Sequence, residues 1–103
     1  MVPVKKQYKY VLRPIERLRK EENWTETEEN IVNEHFNSLV RLKEGGKLIL
    51  AGKTGGLDDT TFGIVIFEAD NDEEASAIMN SDPAVEKGVM TAELFPYRVA
   101  IAR

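Results

Sequence analysis

Two kinds of hydrophobic periodicity alternate along this sequence. Runs in which apolar residues occupy every position or every second position, many of them β-branched or aromatic, predict four strands. The strands are expected at residues 7–12, 47–53, 62–69 and about 91–102. Between them, apolar residues recur every three or four positions at 25–44 and 70–81, as in amphipathic helices. The order β-α-β-β-α-β is that of a ferredoxin-like α+β fold, and residues 1–103 are expected to form this one domain.

The first predicted helix carries the single histidine of the chain. Thr25 and Glu28 have the spacing of a capping box, and Gly45 and Gly46 end the helix because glycine tolerates the left-handed backbone. At about 100° per residue, six apolar side chains fall within one half of the helix circumference. They are Ile31, Val32, Phe36, Leu39, Val40 and Leu42. His35 falls in the same arc, so we expect its imidazole to point inward, toward packing or a pocket.

The second helix is predicted to be capped by Asp70 together with Glu73. It stops ahead of Pro83, because the residue before a proline is disfavoured in the helical region. Asp82 and Pro83 have the residue types of an N-cap and a first helical position, so a short helical turn is expected to follow. Residues 14–24 lack clear periodicity and are predicted to be a loop or a short irregular helix.

The predicted sheet is apolar on both faces. Two helices cover one face of a four-stranded sheet, and the other face of a monomer is normally polar. In the third strand, however, Phe62, Ile64 and Ile66 alternate with Val65, Phe67 and Ala69. The fourth strand places Phe95, Tyr97, Val99 and Ile101 on one face and Leu94, Ala100 and Ala102 on the other. An exposed apolar face of this size promotes association, so the pattern predicts a homodimer in which two sheets pack face to face.

Composition excludes several classes of function. The net charge of −4 disfavours nucleic acid as a partner, because phosphate binding needs clustered lysine and arginine. The absence of cysteine excludes disulfides, thiolate metal sites and a cysteine nucleophile, and with one histidine no transition-metal site is expected. No apolar run approaches the ~20 residues that span a bilayer, and the N-terminus lacks the pattern of a signal peptide. We therefore expect a soluble, cytoplasmic protein with no membrane partner.

The candidate chemistry centres on His35 and one carboxylate. Imidazole titrates near neutral pH and acts as a general acid or base. A carboxylate bonded to its far ring nitrogen fixes the tautomer and stabilises the imidazolium. Asp82 is the best placed acid, because this topology packs the two helices side by side on one sheet face. Both residues also have a structural alternative: His35 as a packed core residue, and Asp82 as the cap of the short helix.

Three further residues are candidates for binding a small molecule. Trp24 contacts a ligand in one interpretation and anchors the loop over the domain in the other. Gly52 and Thr54 follow the apolar part of the second strand, where they line a binding site or simply begin a loop.

Two blocks of sequence resemble the YCII-related family. The first block is His35, Leu39, Leu42 and Gly46, followed by Leu48-Ile49-Leu50-Ala51-Gly52. The second is Asp82-Pro83, Val85 and Gly88-Val89, followed by a strand with Pro96-Tyr97. The resemblance covers about residues 31–103 and the first strand, and it departs from the family pattern at Lys53, Ala84 and Lys87. It implies a dimeric α/β barrel on a ferredoxin-like fold, with His35 and Asp82 as the family's paired residues. Some relatives act on hydroxylated or chlorinated aromatic compounds.

Two functional hypotheses follow. In the first, the protein is a cofactor-independent lyase or isomerase, in which His35 moves a proton on a cyclic or aromatic substrate and Asp82 orients the ring. In the second, it is a non-catalytic module that binds a small ligand or only dimerises. In that case His35 packs against Leu39 and Leu42 with no open cavity beside it.

Overall fold

Four strands and three α-helices alternate through residues 5–103, the part of the chain that the computed structural model describes. The strands are β1 (Lys6–Pro14), β2 (Leu48–Lys53), β3 (Gly63–Ala69) and β4 (Met90–Tyr97). The helices are α1 (Glu26–Glu44), α2 (Asp72–Ser81) and α3 (Pro83–Glu86), and two short 3₁₀ turns, Glu16–Arg19 and Glu21–Asn23, link β1 to α1. None of the described helices is long and apolar enough to cross a membrane.

The strands form one antiparallel sheet in the order β2-β3-β1-β4. β2 and β3 are joined without a helix and pair directly. The connection through α1 leads from β1 past β3 to β2, and the connection through α2 and α3 leads from β3 past β1 to β4. This arrangement confirms the predicted ferredoxin-like α+β fold. Pro96 lies in β4 at an edge of the sheet, where the missing N–H of proline costs least.

The core lies between the sheet and the helices. Alternate side chains of β1 and β3 point to this side and are almost fully buried: Tyr8, Tyr10, Leu12, Val65, Phe67 and Ala69. They pack against Leu39 and Leu42 of α1, as the periodicity of that helix predicts, and against Ile78 and Met79 of α2. The ring of Tyr10 meets Phe67 edge to face, with centroids 5.6 Å apart. Each such buried side chain contributes about 1.5–3 kcal/mol.

The opposite face of the sheet is also rich in apolar side chains. The strand registers place Leu50, Ile64, Ile66, Val11, Phe95 and Tyr97 there. Leu50, Phe95 and Tyr97 are exposed, whereas Ile66 in the centre is buried by its neighbours. Lys9 lies across this face, with its Nζ 5.4 Å from the ring centroid of Phe95 and 5.2 Å from that of Tyr97. The sheet thus carries apolar side chains on both faces, as the sequence predicts. We call the surface that the helices do not cover the open face.

Both predicted ends of α1 are correct, but two residues of its apolar arc are not buried. A capping box joins Thr25 and Glu28, whose carboxylate accepts the Thr25 N–H at 2.8 Å, and Gly45 caps the last turn. Phe36 is 65 % exposed and Val40 is also exposed. They lie at one margin of the arc, and α1 packs on the core through the part of the arc on which Leu39 and Leu42 lie. The prediction that they face the core was therefore wrong.

The cap of α2 and the end of β4 also differ from the predictions. Asn71, and not Asp70, caps α2: its backbone is extended and its side-chain oxygen accepts the Glu74 N–H at 2.8 Å. The strand β3 stays paired through Ala69, so Asp70 is used in the turn that follows it. The strand β4 ends at Tyr97 instead of near Ala102.

β4 ends early because its neighbouring strand, β1, starts at the same level of the sheet. The ladder between β1 and β4 closes at the pair Gln7 and Tyr97, since β1 begins at Lys6. The next available donor, the Val99 N–H, bonds the Gln7 side-chain oxygen at 2.7 Å and not a strand backbone. The 14–24 segment, predicted as a loop or irregular helix, forms the two 3₁₀ turns and buries Leu18.

The capping difference can be tested by alanine substitution. Asn71→Ala removes the side-chain acceptor of a helix N-terminal N–H and should lower the free energy of unfolding by about 0.5–2 kcal/mol. Asp70→Ala, one residue earlier, is the matched control and should change it by less than about 0.5 kcal/mol. Urea unfolding followed by circular dichroism measures both. A larger loss for Asp70→Ala would restore the original assignment.

Candidate functional site

His35 and Asp82 meet at the junction of the three helices. His35 lies near the middle of α1. Asp82 is both the C-cap of α2 and the N-cap of α3. The His35 Nδ1 atom lies 2.7 Å from Asp82 Oδ1 and 2.8 Å from Oδ2. The carboxylate is 1 % exposed and the imidazole 13 % exposed. The structure thus brings together the two residues that the sequence proposed as a pair.

Two more donors hold the Asp82 carboxylate. The Tyr10 hydroxyl donates to Oδ2 at 2.7 Å from the centre of β1, and the Ala84 N–H donates to Oδ1 at 3.0 Å within α3. Burial, followed by the negative charge of Asp82 and the hydrogen bond to it, raises the pKa of Tyr10 far above its usual value. The phenol therefore stays protonated and remains a donor. One carboxylate links β1, α1 and α3.

Tyr10 was not among the residues singled out from the sequence. A signal was available, because the alternation of β1 places it on the helix side of the sheet, where a buried phenol normally finds a hydrogen-bond partner. The sequence does not say which acid that partner is, since Asp82 lies 72 positions away.

The outer ring nitrogen of His35 has a different environment. Within residues 5–103, Nε2 of His35 has no hydrogen-bond partner, and no buried side-chain nitrogen or oxygen in that range lacks one. Nε2 is therefore in contact with solvent. Both Asp82 oxygens already accept hydrogen bonds, so in the neutral ring Nδ1 carries the proton and donates it to Asp82. This leaves the lone pair on Nε2, on the side of the ring that touches solvent.

This arrangement can move a proton. A neutral imidazole with a free lone pair accepts a proton, and a carboxylate at the far nitrogen stabilises the resulting cation. The described residues include no group of three or more histidine and acidic side chains that could hold a metal ion.

Trp24 occupies the position of a loop anchor. Its indole N–H donates to the Leu18 carbonyl at 2.7 Å, and its ring packs in a second apolar cluster with Leu18, Ala84 and Val89. The cluster fastens the 3₁₀ turns to α3, next to Asp82. These contacts match the structural alternative for Trp24, and ligand contact by this residue stays a prediction.

Gly52 and Thr54 lie in a separate cavity. A shallow cavity of about 240 Å³ is lined by Gly52, Lys53, Thr54, Phe62 and Ile64. Neither His35 nor Asp82 lines it, and Gly52 pairs with Ile64, whose side chain is on the open face. The Thr54 hydroxyl donates a hydrogen bond to the Phe62 carbonyl and accepts one from the Phe62 N–H. The structure therefore does not bring these two residues to the His35–Asp82 pair, and their binding role stays a prediction.

Comparison with known proteins gives one finding on family. A family model described as the YCII-related domain matches residues 13–97, which include both His35 and Asp82. No curated protein matches the chain.

The hydrogen bond from Tyr10 to Asp82 can be tested by removing one oxygen atom. Tyr10→Phe keeps the ring packing but leaves the buried carboxylate one donor short, so the free energy of unfolding should fall by about 1.5–3 kcal/mol. Tyr8→Phe is the matched control: its hydroxyl bonds Asp72, which is exposed and regains water when the bond is lost, so the loss should be smaller. Equal effects of the two variants in urea unfolding would show that the Asp82 network adds no particular stability.

Proposed function

This chain belongs to the YCII-related family, and on that premise we propose that it is a cofactor-independent acid/base enzyme. His35 would be its proton-transfer group and Asp82 the residue that orients it. The observation that carries the proposal is the asymmetry of the His35 ring: Nδ1 is held by a buried carboxylate, while Nε2 is open to solvent. A histidine that only filled the core would need no free nitrogen.

The proposed reaction begins with removal of a proton from carbon. Nε2 of His35 takes the proton from a carbon atom next to an electron-withdrawing group, and the electron pair of the C–H bond moves into the substrate. The ring becomes an imidazolium, whose positive charge is stabilised by Asp82 through Nδ1–H. In an isomerisation the imidazolium returns the proton to a different carbon. In an elimination the electron pair expels a leaving group on the neighbouring carbon.

A cyclic or aromatic substrate fits this chemistry best. A ring that bears a carbonyl group has acidic C–H bonds beside that group and holds a leaving group in a fixed geometry, so that one positioned base suffices. The family resemblance implies that some relatives act on hydroxylated or chlorinated aromatic compounds. The departures from the family pattern at Ala84 and Lys87 lie on the helical turn that carries Asp82 and just beyond it. We infer a substrate of the same class but not of the same identity. The cysteine-free sequence fits the reducing cytoplasm that we propose as its location.

The non-catalytic alternative interprets the same contacts as a structural ion pair. Leu39 packs in the core next to His35 along α1, and a satisfied Tyr10–Asp82–His35 network would stabilise the helix layer without any reaction. The alternative predicts that changes at His35 alter stability alone.

Isotope exchange tests the acid/base proposal. The protein is incubated in D2O with a panel of cyclic and chlorinated aromatic acids, lactones and ketones, and NMR records deuterium incorporation or halide loss. His35→Gln should lower the rate of any such reaction by about 10²–10⁴-fold, because the base is lost. Asp82→Asn should act similarly, because the amide donates to Nδ1 and moves the ring proton to Nε2.

The single histidine provides a second measurement for the same variants. The ¹⁵N spectrum of the neutral ring should show the proton on Nδ1 in the native protein and on Nε2 in Asp82→Asn. Glu34→Gln, next to His35 in an exposed pair with Lys87, should change neither the spectrum nor the rate. A reaction rate that is unaffected by His35→Gln would exclude His35 as the base.

We also propose that the protein is a homodimer in which two open faces pack together. Leu50, Phe95 and Tyr97 of that face are exposed in the single chain, and a sheet–sheet interface about 10 Å thick would remove them from water. Lys9 also lies on that face, and the rings of Phe95 and Tyr97 next to its ammonium would offset part of the cost of burying the charge. A sandwiched pair of sheets, with its helices outside, is the dimeric α/β barrel that the family resemblance implies.

A charge in the open face should prevent this dimer. Leu50→Asp places an unpaired carboxylate in the interface, two strands away from Lys9, so the dimer dissociation constant should rise by about 10-fold or more. Asn37→Asp adds the same charge at an exposed position of α1 and should leave it unchanged. Sedimentation velocity at micromolar concentration measures both. A native protein that is monomeric at that concentration would contradict the dimer.

A further inference from the structure

A second cavity lies at the end of the sheet where β1 begins and β4 ends. Its volume is about 720 Å³, and it is lined by the first residues of β1, the start of α2 and the residues around the end of β4. Small-molecule sites commonly have volumes of about 300–1,000 Å³. Neither His35 nor Asp82 lines it, and Asp72 in its wall is separated from Asp82 by about 15 Å along α2. This β1–α2 cavity is therefore separate from the proposed catalytic pair.

The charge of the β1–α2 cavity is opposite to that of the chain. The chain carries a net charge of −4, yet the cavity is lined by three cationic side chains and one carboxylate. The cations are Lys5, Lys6 and Arg98, and the carboxylate is Asp72. Within residues 5–103, none of these three cations forms an ion pair. The cavity therefore has positive charge available for an anion.

The backbone around two of the cations is held in place. Lys6 is the first residue of β1, and Arg98 lies between Tyr97, which pairs with Gln7, and Val99, whose N–H bonds the Gln7 side-chain oxygen at 2.7 Å. The same register, continued by one residue, brings Arg98 opposite Lys6. Like charges opposite each other on two strands are destabilising, and an anion between them offsets the repulsion. The planar guanidinium suits a carboxylate or a phosphate group.

The helix side of the cavity offers an acceptor and apolar surface. The Tyr8 hydroxyl donates to Asp72 Oδ1 at 2.6 Å, and no other side chain within residues 5–103 bonds this carboxylate. A ligand hydroxyl can therefore donate to its second oxygen. Pro96 is the direct strand partner of Tyr8, so the two rings lie on the same side of the sheet. Both line the cavity and can pack against the carbon skeleton of a ligand.

We propose that the β1–α2 cavity binds a small organic anion that carries a hydroxyl group. The carboxylate or phosphate group of the ligand lies between Lys6 and Arg98, and its hydroxyl donates to Asp72. The proposal goes beyond the acid/base reaction and depends neither on His35 nor on the dimer. Lys6 pairs with Ala69, which is buried on the helix side of the sheet, so this part of the cavity is away from the open face.

NMR titration of the native protein tests the site. Benzoate, meta-hydroxybenzoate and phenyl phosphate are the probes, and they should cause saturable shifts of the amide signals of Lys6, Asp72 and Arg98. Benzamide, the neutral analogue of benzoate, should cause none. Inorganic phosphate should bind more weakly than phenyl phosphate, because it has no carbon skeleton to pack on Tyr8 and Pro96. Equal binding of the two phosphates would overturn the organic ligand.

Two variants test the assigned contacts. Arg98→Gln should raise the Kd of meta-hydroxybenzoate by about 10-fold or more, because a charge-assisted hydrogen bond is lost. Lys20→Gln removes the same charge at an exposed position beyond the other end of β1 and should leave this Kd unchanged. Asp72→Asn should lower the Kd of benzoate, because the opposing carboxylate is removed. An unchanged Kd in Arg98→Gln, or an equal rise in Lys20→Gln, would overturn the proposal.

The titration of His35→Gln separates this site from the acid/base site. The variant should keep the shifts at Lys6, Asp72 and Arg98 even where it has lost proton transfer. Shifts that are confined to the surroundings of His35 in the native protein would overturn the β1–α2 cavity as a binding site, and they would leave the acid/base proposal standing.

Discussion

The buried carboxylate of Asp82 is the interaction on which the arrangement of the helices depends. An ionised carboxylate that is 1 % exposed would cost several kcal/mol if it were unpaired. Tyr10, Ala84 and His35 offset that cost, and each belongs to a different element: β1, α3 and α1. The hydrogen bonds of Asp82 thus connect β1 of the sheet with α1 and α3 of the helix layer. The orientation of the His35 ring follows from it, because Asp82 determines which ring nitrogen is held and which is left open.

The sheet itself is only half covered. The helix side is filled by aromatic and aliphatic side chains with low exposure, while the open face shows Leu50, Phe95 and Tyr97 to solvent. Lys9 reduces the exposure of those two rings with its aliphatic stem and places its charge above them. An apolar face next to an unpaired edge strand is costly in water and prone to association. The proposed dimer would remove this cost, because a second sheet would cover the open face.

The success of prediction from sequence depended on how local each feature is. The order of the elements, the capping box of Thr25 and Glu28 and the pairing of His35 with Asp82 followed from periodicity, short motifs and topology. The end of β4 did not, because it is set by the first residue of β1, more than eighty positions earlier. The exposure of Phe36 depends likewise on which part of its arc meets the sheet. At α2, the choice of Asn71 over Asp70 depends on how far β3 stays paired.

The same distinction bears on the role of His35. A buried network that is fully satisfied is the expected state of any structural ion pair, so the contacts among Tyr10, Asp82 and His35 do not by themselves indicate catalysis. The informative feature is what the network leaves out. Three donors converge on Asp82, yet Nε2 of His35 has no partner within residues 5–103 and is reached by solvent. A core that served only stability would gain by burying or bonding that nitrogen, whereas a base must keep its lone pair free and its other nitrogen fixed.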